Sequence, residues 1–346
     1  MTFGNMSSKC LLHLPWHMAG ASALCTAVAV CTGYTQDAAR QDAARGPMGA
    51  SSALLIPHAV TTALKQQPLH QRNSIDSWCV RHNRLQQDYD VEGVIGEGGF
   101  ALVHMGRHKT SNARVAIKQM SKQLTTKENF LQEVEILRQV GGTHNILELR
   151  EAFETADAYI LVTELVQGEE LYEDLVEHGV FGEQKAKDLV RELAVTLQYL
   201  HSKHVVHADV KPENILLEQT GLRLIDFGQS FQLDHENGHK MNACTTAYAP
   251  PEFINHRETG CAMDVWSLGV VLYIVLCGLH PFDPSDDATD EEIQERILRG
   301  NFDQESIGWL CMSDSARNLV RQMLTVDPEK RISAAQVLEH KWIVNA

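Results

Sequence analysis

The sequence predicts an α+β fold in two lobes, a small β-rich lobe with one main helix followed by a larger helical lobe. Three observations carry this. Short β-prone runs separated by turn residues fill 89–165, and helical stripes with capping signals fill 166–343. Between them in character is an uncharged 15-residue run at 265–279. It falls short of the roughly 20 residues a bilayer span needs and is apolar on every side, so it reads as a helix buried in a large core.

The elements follow in order. Residues 89–97, 103–109 and 114–120 read as strands, broken by Gly, Ser and Asn. A helix comes next: Thr125 and Glu128 have capping-box spacing, and Phe130, Leu131, Val134, Leu137 and Val140 repeat at helical spacing up to Gly141. Two further strands lie near 147–155 and 158–165. In the second half Ala186, Leu189, Val190, Leu193, Leu197 and Leu200 form a helical stripe, and Ala316, Leu319, Val320, Met323 and Leu324 form another. Thr289 with Glu292, and Ser333 with Gln336, are further capping boxes.

Residues 1–88 have a different character, and they are read as an arm preceding a domain at 89–343, whose lobes divide at 165/166. Residues 1–86 carry seven Lys or Arg and three Asp; with this +4 removed from the formal −15 of the chain, −19 remains on 87–346. So acidic a domain excludes a nucleic-acid binder. Residues 10–36 hold no charged side chain but are interrupted by His13, Pro15 and His17. Three readings stay open for the arm: a disordered segment, a targeting sequence, or a membrane anchor through 10–36. A cytoplasmic location is the expectation. None of the eight cysteines forms a C-x-x-C pair, so zinc-ribbon chemistry is excluded and a reducing compartment is the simpler reading. His201, His204 and His207 lack the further ligands a zinc site needs.

Five short elements carry chemistry. Gly96-Glu97-Gly98-Gly99-Phe100-Ala101 lies between two strands, where glycine lets backbone approach a phosphate; with Ala101 where a third Gly would sit, alone it reads more readily as a plain hairpin. Lys118 ends the apolar strand Val115-Ala116-Ile117, a rim lysine or a phosphate-holding cation. The cation reading needs a carboxylate partner, with Glu133 on the following helix the candidate and Glu135 the more solvent-facing alternative. In His207-Ala208-Asp209-Val210-Lys211-Pro212-Glu213-Asn214, a carboxylate, an amine and an amide sit close together in a loop that Pro212 keeps from being helical. Such groups can accept a hydroxyl proton, steady a phosphoryl group and ligate Mg²⁺. Asp226-Phe227-Gly228 supplies a second hard oxygen ligand. Pro250-Pro251-Glu252 is followed by Asp264-Val265-Trp266-Ser267-Leu268-Gly269, where Asp264 has the plain reading of a helix N-cap.

Taken together, in this order over about 160 residues, these elements resemble the eukaryotic protein kinase family. The resemblance covers 89–343 and implies a two-lobed protein kinase fold with ATP and Mg²⁺ as cofactors. It implies that Lys118 holds phosphates and pairs with Glu133, that Asp209 is the catalytic base, that Lys211 assists and marks Ser/Thr specificity, and that Asn214 and Asp226 hold Mg²⁺. Ile95, Gly96 and Gly98 would cover the nucleotide. Val103, Ala116 and Leu216 would sandwich adenine, and Glu164–Val166 would be the hinge, with Thr163 as gatekeeper. A hydrophobic spine would run through Leu137, Leu149, His207 and Phe227, and Glu252 would pair with Arg331. Within the family, the stretches 161–181, 264–283 and 326–343 are similar to the calcium/calmodulin-dependent kinase group. No EF-hand loop appears and no autoinhibitory helix follows the last stretch, so the group resemblance does not imply calcium control.

Two departures bear on regulation. Ala208 stands where the family has an arginine that binds an activation-loop phosphate, and Met241 stands where that phosphate is often carried. Activity is therefore expected without activation-loop phosphorylation. Thr245 would contact the catalytic lysine, and Cys244 is read as a packing residue. Protein substrates are expected, with basic residues before the phosphoacceptor read by Glu170 and Glu213, although Glu170 has ribose as its alternative partner. The alternative to catalysis, a pseudokinase scaffold, is weakened by the presence of Lys118, Glu133, Asp209, Asn214 and Asp226 together.

Overall fold

The computed structural model describes residues 81–82, 85–97, 101–219, 221–233 and 246–345. The small lobe is a sheet. Its strands are β1 (Arg81–His82), β2 (Tyr89–Glu97), β3 (Ala101–His108), β4 (Arg114–Ser121), β5 (Leu149–Glu154) and β6 (Ala158–Glu164), with a short α1 (Leu85–Asp88) between the first two. The spatial order is β1-β5-β6-β4-β3-β2. All neighbours are antiparallel except β1, which pairs parallel with β5 through Arg81 opposite Phe153. That first strand lies within the stretch the sequence assigns to the arm. Arg81 holds it in place, with Nη1 2.8 Å from both Asp88 and Glu151 and the guanidinium 5.7 Å from the Phe153 ring centroid.

Helix α2 (Lys127–Val140) packs on this sheet with Phe130, Glu133, Val134, Ile136, Leu137 and Val140 buried. Its cap is Thr126, whose side chain accepts the Asn129 N–H, rather than the expected Thr125 with Glu128. Two adjacent threonines offer the same hydroxyl chemistry, and it is Thr126 that immediately precedes the helix with the extended backbone from which a cap points into the first turn.

The large lobe is helical. After β7 (Glu169–Glu170) come α3 (Leu171–His178) and α4 (Glu183–Ser202), which buries the predicted stripe. Four short strands follow: β8 (Val205–Val206), β9 (Ile215–Glu218), β10 (Gly221–Leu224) and β11 (Phe231–Gln232). After the short α5 (Pro251–Ile254), the uncharged run becomes α6 (Ala262–Cys277), buried from Met263 to Leu276 and stopped by Gly278 at φ +71°. Thr289 and Ser333 both close full capping boxes. Glu252 and Arg331 meet as a buried bidentate pair at 2.8 and 2.9 Å. Among the described residues no helix is long and apolar enough to cross a membrane.

Candidate active site

Strand β4 delivers Lys118 to the space between the lobes, because alternation buries Val115 and Ile117 in the sheet and turns Ala116 and Lys118 the other way. Its ammonium lies 2.8 Å from Glu133 on α2 and 2.8 Å from Asp226. Burial opposes its charge, but the Asp226 and Glu133 carboxylates outweigh that and hold it above the ordinary lysine range. Glu135 faces solvent.

The pocket beside Lys118 encloses about 510 Å³, part of it open to solvent. Ten of the residues singled out in the sequence line it, among them Val103, Ala116, Lys118, Glu133, Glu164, Val166 and Asp226. Thr163, Phe227 and Leu137 line it too, and so do Leu147, Leu161 and Ile225, apolar positions with no motif to announce them. Leu216 is fully buried beside Val166 and Ile225, one layer below the wall. Gly96 is buried opposite Val103, with half-buried Ile95 before it. Gly98 lies outside the described residues.

On the large-lobe side, Asp209 Oδ2 is 2.8 Å from Lys211 Nζ and accepts Asn214 Nδ2–H at 2.8 Å. Burial opposes the Lys211 charge, and Asp209 more than offsets this to raise its pKa. The segment is not wholly irregular: Pro212–Asn214 make a single 3₁₀ turn with Pro in its first position, where a missing N–H costs nothing. Asp226, at φ +59°, turns its Oδ1 toward both Lys118 and the Gly228 N–H.

Two groups hold this loop from behind. His207 is fully buried; its Nδ1 accepts the Asp209 N–H at 3.3 Å, so Nε2 carries the proton and donates to Ile225 O at 3.1 Å. Burial holds this imidazole below the ordinary histidine range. His207 also meets the Phe227 ring edge-on at 4.7 Å, the junction expected of the spine. The second group is Asp264. It is not an N-cap, since Cys261 holds that position and Asp264 lies inside the first turn of α6. Its carboxylate accepts the N–H groups of His207 and Ala208 at 3.0 and 2.8 Å and meets His201 Nε2 at 2.8 Å. The signal for this role is an acid at the head of an otherwise uncharged buried run.

The residues present fit a divalent cation. Asn214 commits Nδ2 to Asp209 and leaves Oδ1 buried without a partner among the described residues, an acceptor of the kind hard cations take.

Near this loop, the Glu170 and Glu213 carboxyls are both pushed up, Glu170 to about 8. Burial is the main cause for each, with Glu173 and Glu213 adding to it at Glu170. Met241, Cys244 and Thr245 lie outside the described residues.

The protein kinase domain family matches residues 89–343 of this chain. Ribosomal protein S6 kinase alpha-2 of Mus musculus is 39% identical over 263 residues, covering 74% of this chain and 36% of that protein. Ribosomal protein S6 kinase alpha-3 of Homo sapiens is 38% identical over 285 residues, covering 81% and 37%. Ribosomal protein S6 kinase alpha-1 of Rattus norvegicus is 36% identical over 322 residues, covering 91% and 40%. The chain thus matches well under half the length of these relatives.

Proposed function

This chain belongs to the protein kinase family, and from that premise we propose that it is a serine/threonine protein kinase, transferring the γ-phosphoryl group of ATP to protein hydroxyls. The observation that carries the proposal is Lys118 held between Glu133 and Asp226, with Asp209, Lys211 and Asn214 joined to one another on the facing loop.

In this reading Lys118 orients the nucleotide phosphates and is itself fixed by its two carboxylates. Asp209 accepts the proton of the attacking hydroxyl, its Oδ2 aimed by Asn214 and Lys211. Lys211 stays charged and sets a positive group beside the transferring phosphoryl. Bound Mg²⁺, held by Asn214 and Asp226, would neutralise the charge that develops on the phosphate oxygens. The rest is positioning, which alone supplies a large share of the barrier reduction in such transfers.

We further propose that the substrates are proteins with basic residues before the phosphoacceptor. The buried Glu213 Oε2 has no hydrogen-bond partner among the described residues, and a cationic side chain would supply one to it and to Glu170. Placement nearest the calcium/calmodulin-dependent group is likewise proposed, resting on residues 161–181, 264–283 and 326–343; the relatives above carry the name of ribosomal protein S6 kinases.

The test is transfer from labelled ATP–Mg²⁺ to a basic Ser/Thr peptide by the 346-residue chain, beside its Asp209→Asn variant. Transfer by the first and none by the second is expected. Absence of transfer by either, with ATP binding intact, would overturn the reading.

A further inference from the structure

We propose that Gln132 and Ser230 are positioning residues that couple the helix carrying Glu133 to the loop carrying Asp209. The proposal rests on the kinase reading above. Gln132 Nε2 donates to the Ser230 carbonyl at 2.7 Å, and the Ser230 hydroxyl donates to the His207 carbonyl at 3.0 Å. The first bond spans 98 residues of sequence and the second 23, so neither is a local turn contact.

The placement gives these bonds their meaning. Gln132 precedes Glu133, the partner of Lys118. Ser230 is four residues beyond Asp226, and His207 is two before Asp209. Three polar centres from three parts of the chain are thereby fixed to one another. A rotation of α2 that withdrew Glu133 from Lys118 would stretch the Gln132–Ser230 bond. Ser230 cannot follow such a movement freely. It is 1% exposed, and Phe231 after it pairs with Val206 and packs with Val206, Ala208 and Met263. At 208 the side chain is a methyl group, so it offers no polar group toward α2. The polar connection runs instead through Ser230.

Gln132 itself faces solvent, so its substitution leaves the core intact. The experiment uses the full chain as wild type, Gln132→Met, Gln132→Lys, Ser230→Ala and the double variant Gln132→Met/Ser230→Ala, assayed with ATP–Mg²⁺ and a basic serine peptide. Gln132→Met, which lacks a donor, is expected to lower kcat roughly tenfold, with peptide KM within about twofold and an unchanged unfolding midpoint. Gln132→Lys, which restores a donor, should recover most of kcat. The double variant should be no slower than its slower parent, because either break opens the same link. Full kcat in Gln132→Met, equal losses in the Met and Lys variants, or a double variant that shows the product of the single losses would overturn the proposal.

Amide hydrogen exchange over 127–140 and 230–232 reads the coupling without turnover. It should be faster in Gln132→Met than in wild type and restored in Gln132→Lys; identical exchange in all three overturns the coupling. A wild type that shows this pattern but transfers no phosphate overturns the kinase reading alone.

Discussion

The Asp264 carboxylate receives the Ala208 amide N–H at 2.8 Å, and Ala208 is a non-glycine residue held at φ +67°. A left-handed backbone costs an L-residue about 1–2 kcal/mol, so something must hold this one there. Asp264 does so from helix α6, taking the His207 N–H as well. Asp264→Asn would set an amide NH₂ either against the Ala208 N–H or, at the other oxygen position, against the His207 N–H and His201 Nε2. We expect a loss of about 3 kcal/mol in stability, read by thermal unfolding, together with a fall in kcat at unchanged ATP affinity.

Removing one member of the Glu252–Arg331 pair strands the other, since their side chains are 2% and 0% exposed. Arg331→Met should cost about 3–5 kcal/mol, measured by denaturant unfolding. Its kcat under conditions where the variant is folded should be close to wild type, because the pair touches none of the reacting groups.

The Glu170 carboxyl is raised to about 8, chiefly by burial and then by Glu173 and Glu213. The unfolded chain loses this proton near the ordinary carboxylate pKa of about 4.3, while the folded chain keeps it until about pH 8, so Glu170 subtracts stability progressively across that window as pH rises. A cationic substrate side chain favours the ionised form. Peptide KM should therefore fall as pH rises from 6.5 toward 8.5, at a rate set by the wild-type carboxyl, and Glu170→Gln should flatten that slope. An equal slope in both proteins would remove Glu170 from substrate reading.

Ala208 carries no cationic side chain for a loop phosphate, and Asp264 anchors the same backbone without one. Phosphatase-treated protein should retain its full phosphotransfer rate. Loss of activity, with phosphate mapped between Asp226 and Glu252, would contradict this.

The sequence made the site legible wherever chemistry is carried by a side chain in a local pattern. Lys118 and Glu133 follow from strand alternation and helix periodicity, and Glu252 and Arg331 from the resemblance. What stayed hidden was tertiary. Asp264 looks like a cap because its helix is visible in sequence while the loop it holds, more than fifty residues earlier, is not. Leu147, Leu161 and Ile225 line the pocket with ordinary strand-type side chains. Thr125 and Thr126 offer identical local chemistry, and the backbone decides between them. A two-residue strand such as Arg81–His82 has no period to detect.

That strand has a practical consequence. A protein begun at Tyr89 would retain the matched domain and its polar site, yet it would uncover the margin of β5 against which Arg81 and His82 pair, leaving backbone N–H and C=O groups open along the outer edge of the sheet. An open strand margin is a template for pairing with a second molecule. Preparations cut at the apparent domain start should therefore self-associate more readily than those retaining Arg81, even while each molecule keeps its reactive groups in place.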